Sequence, residues 1–212
     1  MANVIAVLNQ KGGSGKTTVA IHIARALQLG GESVALLDTD PQGSAQDWDA
    51  AGEGAAGFLV VGVRKPETLK KNVEQLASHH WIIIDGAGSL DTMSAHAVRA
   101  ADLVVIPCQP SPLDVWAASE VVAMVTERQA LTDGAPVAAF QVMRAKKGTQ
   151  LAREVTDAIA EYGFPLFNGS IHDRTAFAKA MAAGKTVLDT DPEGAACWEV
   201  QHLIKQIREA FA

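Results

Sequence analysis

Val4-Ile5-Ala6-Val7-Leu8-Asn9-Gln10-Lys11-Gly12-Gly13-Ser14-Gly15-Lys16-Thr17-Thr18 is the stretch from which the rest of the 212-residue chain can be read. An apolar run, Val4 to Leu8, breaks into a glycine-rich turn, and helix-compatible sequence follows from Val19 to Leu29. That order predicts a strand, a phosphate-cradling loop and a helix N-terminus. Gly12, Gly13 and Gly15 carry no side chains, so backbone N–H groups can converge on a polyphosphate. The helix start adds a partial positive charge and unpaired donors. The segment Lys11 to Thr18, with Ser14 and Thr18 inside it, is therefore the candidate nucleotide-binding loop. Lys16 is placed to reach β- and γ-phosphates, and the Thr17 hydroxyl to ligate Mg²⁺.

The usual pattern, G-x-x-x-x-G-K-[ST], is not met in full, because Gln10 stands at the first glycine position. A second lysine, Lys11, lies inside the loop. One lysine already serves the phosphates, so a second aimed at the same charge is redundant within one chain. Across a dimer it would act as an arginine finger does, on charge spreading in the transition state. A solvent-exposed loop lysine is the plain alternative.

Hydrophobic residues make up 48% of the chain and charged ones 20%, so a large core is available and disorder is disfavoured. One domain over residues 1–212 is expected. Cys108 and Cys197 are far apart in sequence, unlike a metal pair or an iron–sulfur ligand set, and suit a reducing cytoplasm. No leader is expected before the first strand, and no apolar run approaches the ~20 residues that span a bilayer. A net charge of −6 disfavours a generally basic nucleic-acid binder while allowing a local basic patch.

Strand and helix alternate onward. Ser33 to Leu37 reads as a strand buried on both faces, ending in Asp38-Thr39-Asp40-Pro41-Gln42. Phe58 to Val63 is a third strand, and Pro66 to Ala77 a helix with Leu69, Val73 and Leu76 inward. Trp81 to Ile84 is another buried strand and it too ends in an acid, Asp85. Leu103 to Ile106 follows, with Pro107 expected to close it. Helices are expected over Lys16 to Gly30, Gly43 to Ala51, Met93 to Ala101, Asp114 to Leu131, Gln150 to Tyr162, Thr175 to Ala183 and Glu193 to Phe211. Strands are expected over Val137 to Met143 and, at an edge, Pro165 to Ile171. This alternation predicts an α/β fold: a mostly parallel twisted sheet with helices on both faces and right-handed crossovers. Ligands sit at the C-terminal ends of such strands, where both acids fall. Asp85 fits the second magnesium motif of phosphate-loop ATPases. Asp40 is placed to orient or deprotonate an attacking water, and Asp38 to support the loop or the metal shell. A helix cap or solvated turn is the alternative for each acid.

Lys11-Gly-Gly-Ser-Gly-Lys-Thr-Thr18, then Asp38-Thr-Asp-Pro-Gln42, then Ile82-Ile-Ile-Asp-Gly-Ala-Gly-Ser-Leu90 together resemble the ParA family of partition ATPases with a deviant Walker motif. The resemblance extends through Pro107 to Asp114 and Ile171 to Thr175. The turn Asp85-Gly86-Ala87-Gly88, and the lack of an extension before the first strand, are similar to the small, ParF-like plasmid members. The resemblance implies an ATP- and Mg²⁺-dependent switch that forms a sandwich homodimer. In it Lys11 crosses to the partner's phosphates. Lys11, Lys16 and Asp40 would be the catalytic set, and Thr17, Asp38 and Asp85 the metal set. Pro107, Pro110, Met143 and Arg144 would hold the adenine. It also implies partition of plasmid or chromosomal DNA in the cytoplasm, with ATP-bound dimers on the nucleoid and hydrolysis stimulated by a ParB- or ParG-like adaptor. Arg174, Lys179 and Lys185, helped by Arg144, Lys146 and Lys147, would contact DNA non-specifically; an ordinary solvated surface is the alternative.

Three rivals share the loop and acids. A membrane-associated, MinD-like protein would end in a basic amphipathic anchor, but Val200 to Phe211 carries only Lys205 and Arg208. A cofactor-biosynthesis enzyme would need a further substrate pocket. Positioning of a protein assembly keeps the switch and changes only its cargo.

Overall fold

The computed structural model describes residues 2–89, 92–145, 155 and 157–211. Seven strands form one all-parallel sheet: β1 (Asn3–Val7), β2 (Val34–Asp38), β3 (Leu59–Gly62), β4 (Trp81–Asp85), β5 (Leu103–Cys108), β6 (Val137–Ala145) and β7 (Leu166–His172). Their order is β3-β2-β4-β1-β5-β6-β7, which puts the glycine loop at the centre and makes β7 an edge, as its position in the sequence suggested. The helices are α1 (Lys16–Leu29), α2 (Ser44–Ala51), α3 (Pro66–Gln75), α4 (Thr92–Ala100), α5 (Pro112–Ala130), α6 (Thr175–Ala182), α7 (Val187–Thr190) and α8 (Ala195–Ala210).

Two cores flank the sheet, and strand alternation assigns residues to them. Ile5, Val7, Trp81 and Ile83 face α1, α2 and α6 to α8. Val4, Ala6, Ile82 and Ile84 face α3 to α5. Central strands buried on both faces need unbroken apolar runs, which is why β1, β2, β4 and β5 read so plainly. The apolar face of α8, including Val200, Leu203 and Ile207, is spent in the first core. Phe211 just beyond it meets Trp81 edge-on at 4.9 Å. Among the described residues no helix is long and apolar enough to cross a membrane.

Two expectations are corrected. Pro107 does not close β5; it lies within the strand, opposite Gln141. The Val105 carbonyl accepts the Leu8 N–H, so Pro107, two residues on, faces the same side. There the β1 ladder has ended, and no donor is missed. The final helix is also preceded by a separate short one, α7, whose start is a capping box between Thr186 and Asp189. Of the expected Gln150–Tyr162 helix, 150–154 and 156 lie outside the described residues, and 155 and 157–160 are helical.

Candidate nucleotide site

The loop after β1 ends at Gly15, whose φ of 102° is left-handed and favours glycine. A Cβ there would also lie 3.0 Å from the Met143 Cε, so the end of the Met143 side chain would have to give way. Lys16 is 6% exposed and its Nζ donates to the Lys11 carbonyl at 3.1 Å, folding the lysine back over its own loop. Burial lowers its pKa, opposed by the charges of Asp85 and Asp40. A cavity of about 340 Å³ lies here, lined by the loop, Asp40, Gly88 and Arg144. Gly88 closes it: a Cβ on it would stand 3.5 Å from the Gly12 Cα.

The three acids have separate surroundings. Asp38 is fully buried, and both its oxygens are engaged by backbone N–H groups. Oδ1 accepts from Asp40 at 3.1 Å, and Oδ2 from Ala45 and Gln46 at 3.2 Å each. It thus caps α2 from a distance, satisfying donors that a helix start leaves open. This geometry ties Asp38 to the turn that carries Asp40. Burial raises its pKa against the pull of those N–H bonds. Asp40 is half-buried, lines the cavity and accepts the Gln42 N–H at 2.9 Å. Arg64 braces the same turn by donating to the Asp40 carbonyl and, at 2.7 Å, to Gln46 Oε1. Asp85 is different: it is fully buried, and among the described residues no donor satisfies either carboxylate oxygen. Burial pushes its pKa to about 7; the nearby Thr17 hydroxyl favours ionisation, Asp38 opposes it, and Lys16 again favours it.

An orphaned buried carboxylate beside a threonine hydroxyl suits a hard cation, which takes oxygen ligands. Among the described residues no group of three or more His, Cys, Asp or Glu could hold a metal. A Mg²⁺ at Asp85 and Thr17 would therefore take most of its shell from water and phosphate, its usual habit. The Ser14 Oγ is likewise buried without a partner among the described residues, inside the loop that would receive the phosphates.

The β5–α5 connection does something the sequence reading missed. Asn9 Nδ2 donates to the Pro107 carbonyl at 2.7 Å, while Asn9 Oδ1 accepts the Lys11 N–H at 3.0 Å. Gln109 Nε2 donates to the Gly13 carbonyl at 2.7 Å. Lys11 Nζ meets Asp114 Oδ2 at 2.5 Å. The end of β5, the connection after it and the start of α5 thus clamp the phosphate loop at three points. Pro107 and Pro110, expected at the adenine, are absent from the walls of the adjoining cavity.

That cavity, about 200 Å³, shares Gly15, Thr18, Arg144 and Met181 with the phosphate end. Met143, Ile171, Phe177 and Met181 give it an apolar lining suited to a flat ring. Met143 and Arg144, expected at the adenine, are among the residues lining this cavity; Ile171, Phe177 and Met181, which line it too, were not anticipated. Arg144 has φ 50°, an uncommon value for a side-chain-bearing residue, next to a register shift between β6 and β7. Such an irregularity re-aims a side chain, here into the cavity.

The cations expected at DNA divide. Lys179 and Lys185 are exposed. Arg174 is not free, because its Nε and Nη2 donate to Glu199 Oε1 at 3.1 and 2.6 Å, and it lines the ring cavity. Lys146 and Lys147 lie outside the described residues.

Residues 5–187 match the family model described as the CobQ/CobB/MinD/ParA nucleotide binding domain. The chain is 34% identical over 186 residues to maintenance of carboxysome distribution protein A of Gloeobacter kilaueensis, covering 87% of this chain and 83% of that one. It is 29% identical to the protein of the same name from Halothiobacillus neapolitanus, covering 97% and 96%. The apo McdA structure from Cyanothece superposes with a TM-score of 0.83 over the whole of both chains at 15% identity, a likeness of fold alone.

Proposed function

The chain belongs to the CobQ/CobB/MinD/ParA nucleotide-binding family, and we propose that it is an ATP-hydrolysing, dimerising switch that positions a protein assembly in the cytoplasm. The division of labour between its two loop lysines carries this reading. Lys16 is folded over the loop, whereas the Lys11 amine is held on α5 by Asp114, with 37% of its side chain exposed. A lysine that its own loop does not engage can reach a second copy of the chain once it leaves Asp114.

In this reading Lys16 and the backbone of Gly12 to Thr18 bind the polyphosphate of ATP, and Thr17 and Asp85 hold Mg²⁺, which neutralises phosphate charge when bound. Asp40 orients the attacking water from a turn fixed by Asp38 and Arg64. Gly88 stands beside Gly12 of the loop, where it senses the terminal phosphate. All of residues 1–212 act as one such unit. An adaptor protein on the cargo stimulates turnover.

The names of the two relatives favour a protein assembly as cargo. Partition of plasmid or chromosomal DNA is the second reading, favoured by the Asp85-Gly86-Ala87-Gly88 turn. A membrane anchor is disfavoured because the apolar face of α8 is occupied in the core. Light scattering after gel filtration, with ATP–Mg²⁺ and with ADP–Mg²⁺, tests the switch; a monomer in both would refute it. Imaging a protein compartment and measuring plasmid retention in cells lacking the chain separates the two cargoes. Non-specific DNA binding in the ATP state, through Lys179 and Lys185, should weaken steeply with salt.

A further inference from the structure

Behind the ring end of the nucleotide cavity lies another cavity of about 270 Å³, between β7 and α8, and His172 and Arg174 line both. What separates the two spaces is a wall of these side chains, and Glu199 of α8 holds it. Glu199 is 8% exposed. Its Oε2 accepts the His172 N–H at 3.1 Å, and its Oε1 accepts His172 Nδ1 at 2.7 Å. The same Oε1 takes Arg174 Nε at 3.1 Å and Nη2 at 2.6 Å. One buried carboxylate thus orders the end of β7 and the residue before α6, two elements that bound the ring cavity.

We propose that Glu199 is a positioning residue for recognition of the purine ring, acting through Arg174 and His172. The proposal rests on the nucleotide-switch reading and names what fixes the base end of that site. An untethered arginine samples many rotamers, and a ligand that met it would have to freeze them. Held along its Nε–Nη2 edge, the guanidinium is already ordered before the nucleotide arrives. Burial would raise the Glu199 pKa, but the bonds from Arg174 and His172 outweigh it and hold the pKa below the usual range. The carboxylate therefore stays charged and the clamp intact through the neutral range. The same bond raises the Arg174 pKa.

The experiment compares two ligands by calorimetry in the presence of Mg²⁺: ATP, and inorganic tripolyphosphate, which has the phosphates and no ring. In Glu199→Gln the affinity for ATP should fall about tenfold, the weight of one charge-assisted hydrogen bond network loosened. Affinity for tripolyphosphate should not change, a separation that general loosening of the fold would not produce. Arg174→Ala, at a side chain 29% exposed, should show the same selective loss even if the Gln variant folds poorly. The double variant should lose no more than either single one. Equal losses for both ligands, or an ATP affinity untouched in both variants, would overturn the proposal. A wild-type protein that binds ATP no better than tripolyphosphate would overturn the base-site reading itself.

Discussion

The Lys11 amine lies 2.5 Å from Asp114 Oδ2, and the two residues differ in setting: Lys11 is 37% exposed at its side chain, Asp114 only 1%. Among the described residues the other Asp114 oxygen is buried without a partner. Lys11 is thus the one charge among the described contacts that compensates a carboxylate at the start of α5. To reach a neighbouring chain it must leave that carboxylate, so the ion pair sets a cost on dimerisation. Asp114→Asn, which keeps the shape and removes the charge, is expected to lower the ATP concentration at which dimers form. Light scattering across an ATP titration measures this, and an unmoved midpoint would show that the pair imposes no such cost.

The same pair complicates the obvious substitution. Lys11→Ala strands a buried carboxylate, at a cost of about 1–3 kcal/mol in stability. Lys11→Ala/Asp114→Asn should recover most of that in urea unfolding while still failing to dimerise with ATP. Recovery of dimerisation in the double variant would remove Lys11 from the partner's site.

Lys16→Ala is expected to weaken ATP binding by at least about 10- to 100-fold, because a buried cation and its charge-assisted contacts are lost together. Calorimetry with ATP–Mg²⁺ reads it directly. Unaltered affinity would place the phosphates elsewhere.

Asp38 and Asp40 should separate into a stability residue and a turnover residue. Asp40→Ala should slow phosphate release by about 100-fold or more while an ATP-bound dimer accumulates. Asp38→Ala removes the remote cap of α2 and should cost about 1–2 kcal/mol in unfolding free energy. The reverse assignment, with Asp38→Ala stable and Asp40→Ala unfolding early, would contradict the hydrogen bonds described.

What could be read from the sequence was what the backbone needs locally. Ile82 to Ile84 must be apolar because both faces of β4 are buried, and the left-handed φ at Gly15 favours glycine. Asn9, Gln109, Asp114 and Glu199 escaped because they act across the chain. Their partners lie 98, 96, 103 and 25–27 residues away, with no spacing to betray them. Pro107 was misread because its effect depends on where the neighbouring ladder ends. The start of α7 did carry a local sign, the Thr186-x-x-Asp189 capping pattern, and that could have been found.

His22 is expected to make acid stability depend on the join between α1 and α7. Its Nδ1–H donates to the Thr18 carbonyl at 2.7 Å, and its Nε2 accepts the Val187 N–H at 3.2 Å. Phe177 meets the ring edge-on at 5.2 Å. A proton on Nε2 would face the Val187 N–H with a second donor. Burial lowers the pKa to about 4 from 6.5, against the Thr18 carbonyl and Asp189. The unfolded chain therefore takes up this proton from about pH 6.5 downward, and the folded chain only near pH 4. Stability from neutral His22 is complete above 6.5 and is lost as pH falls towards 4, on the order of 2 kcal/mol by pH 5. Asp85, with its carboxyl raised to about 7, contributes with the opposite sign over part of the same range. The informative quantity is thus the difference between wild type and His22→Gln in urea unfolding at pH 7.5 and pH 5. That difference should shift against the wild type by the same order on acidification, whereas a constant difference would exclude His22 as the titrating group.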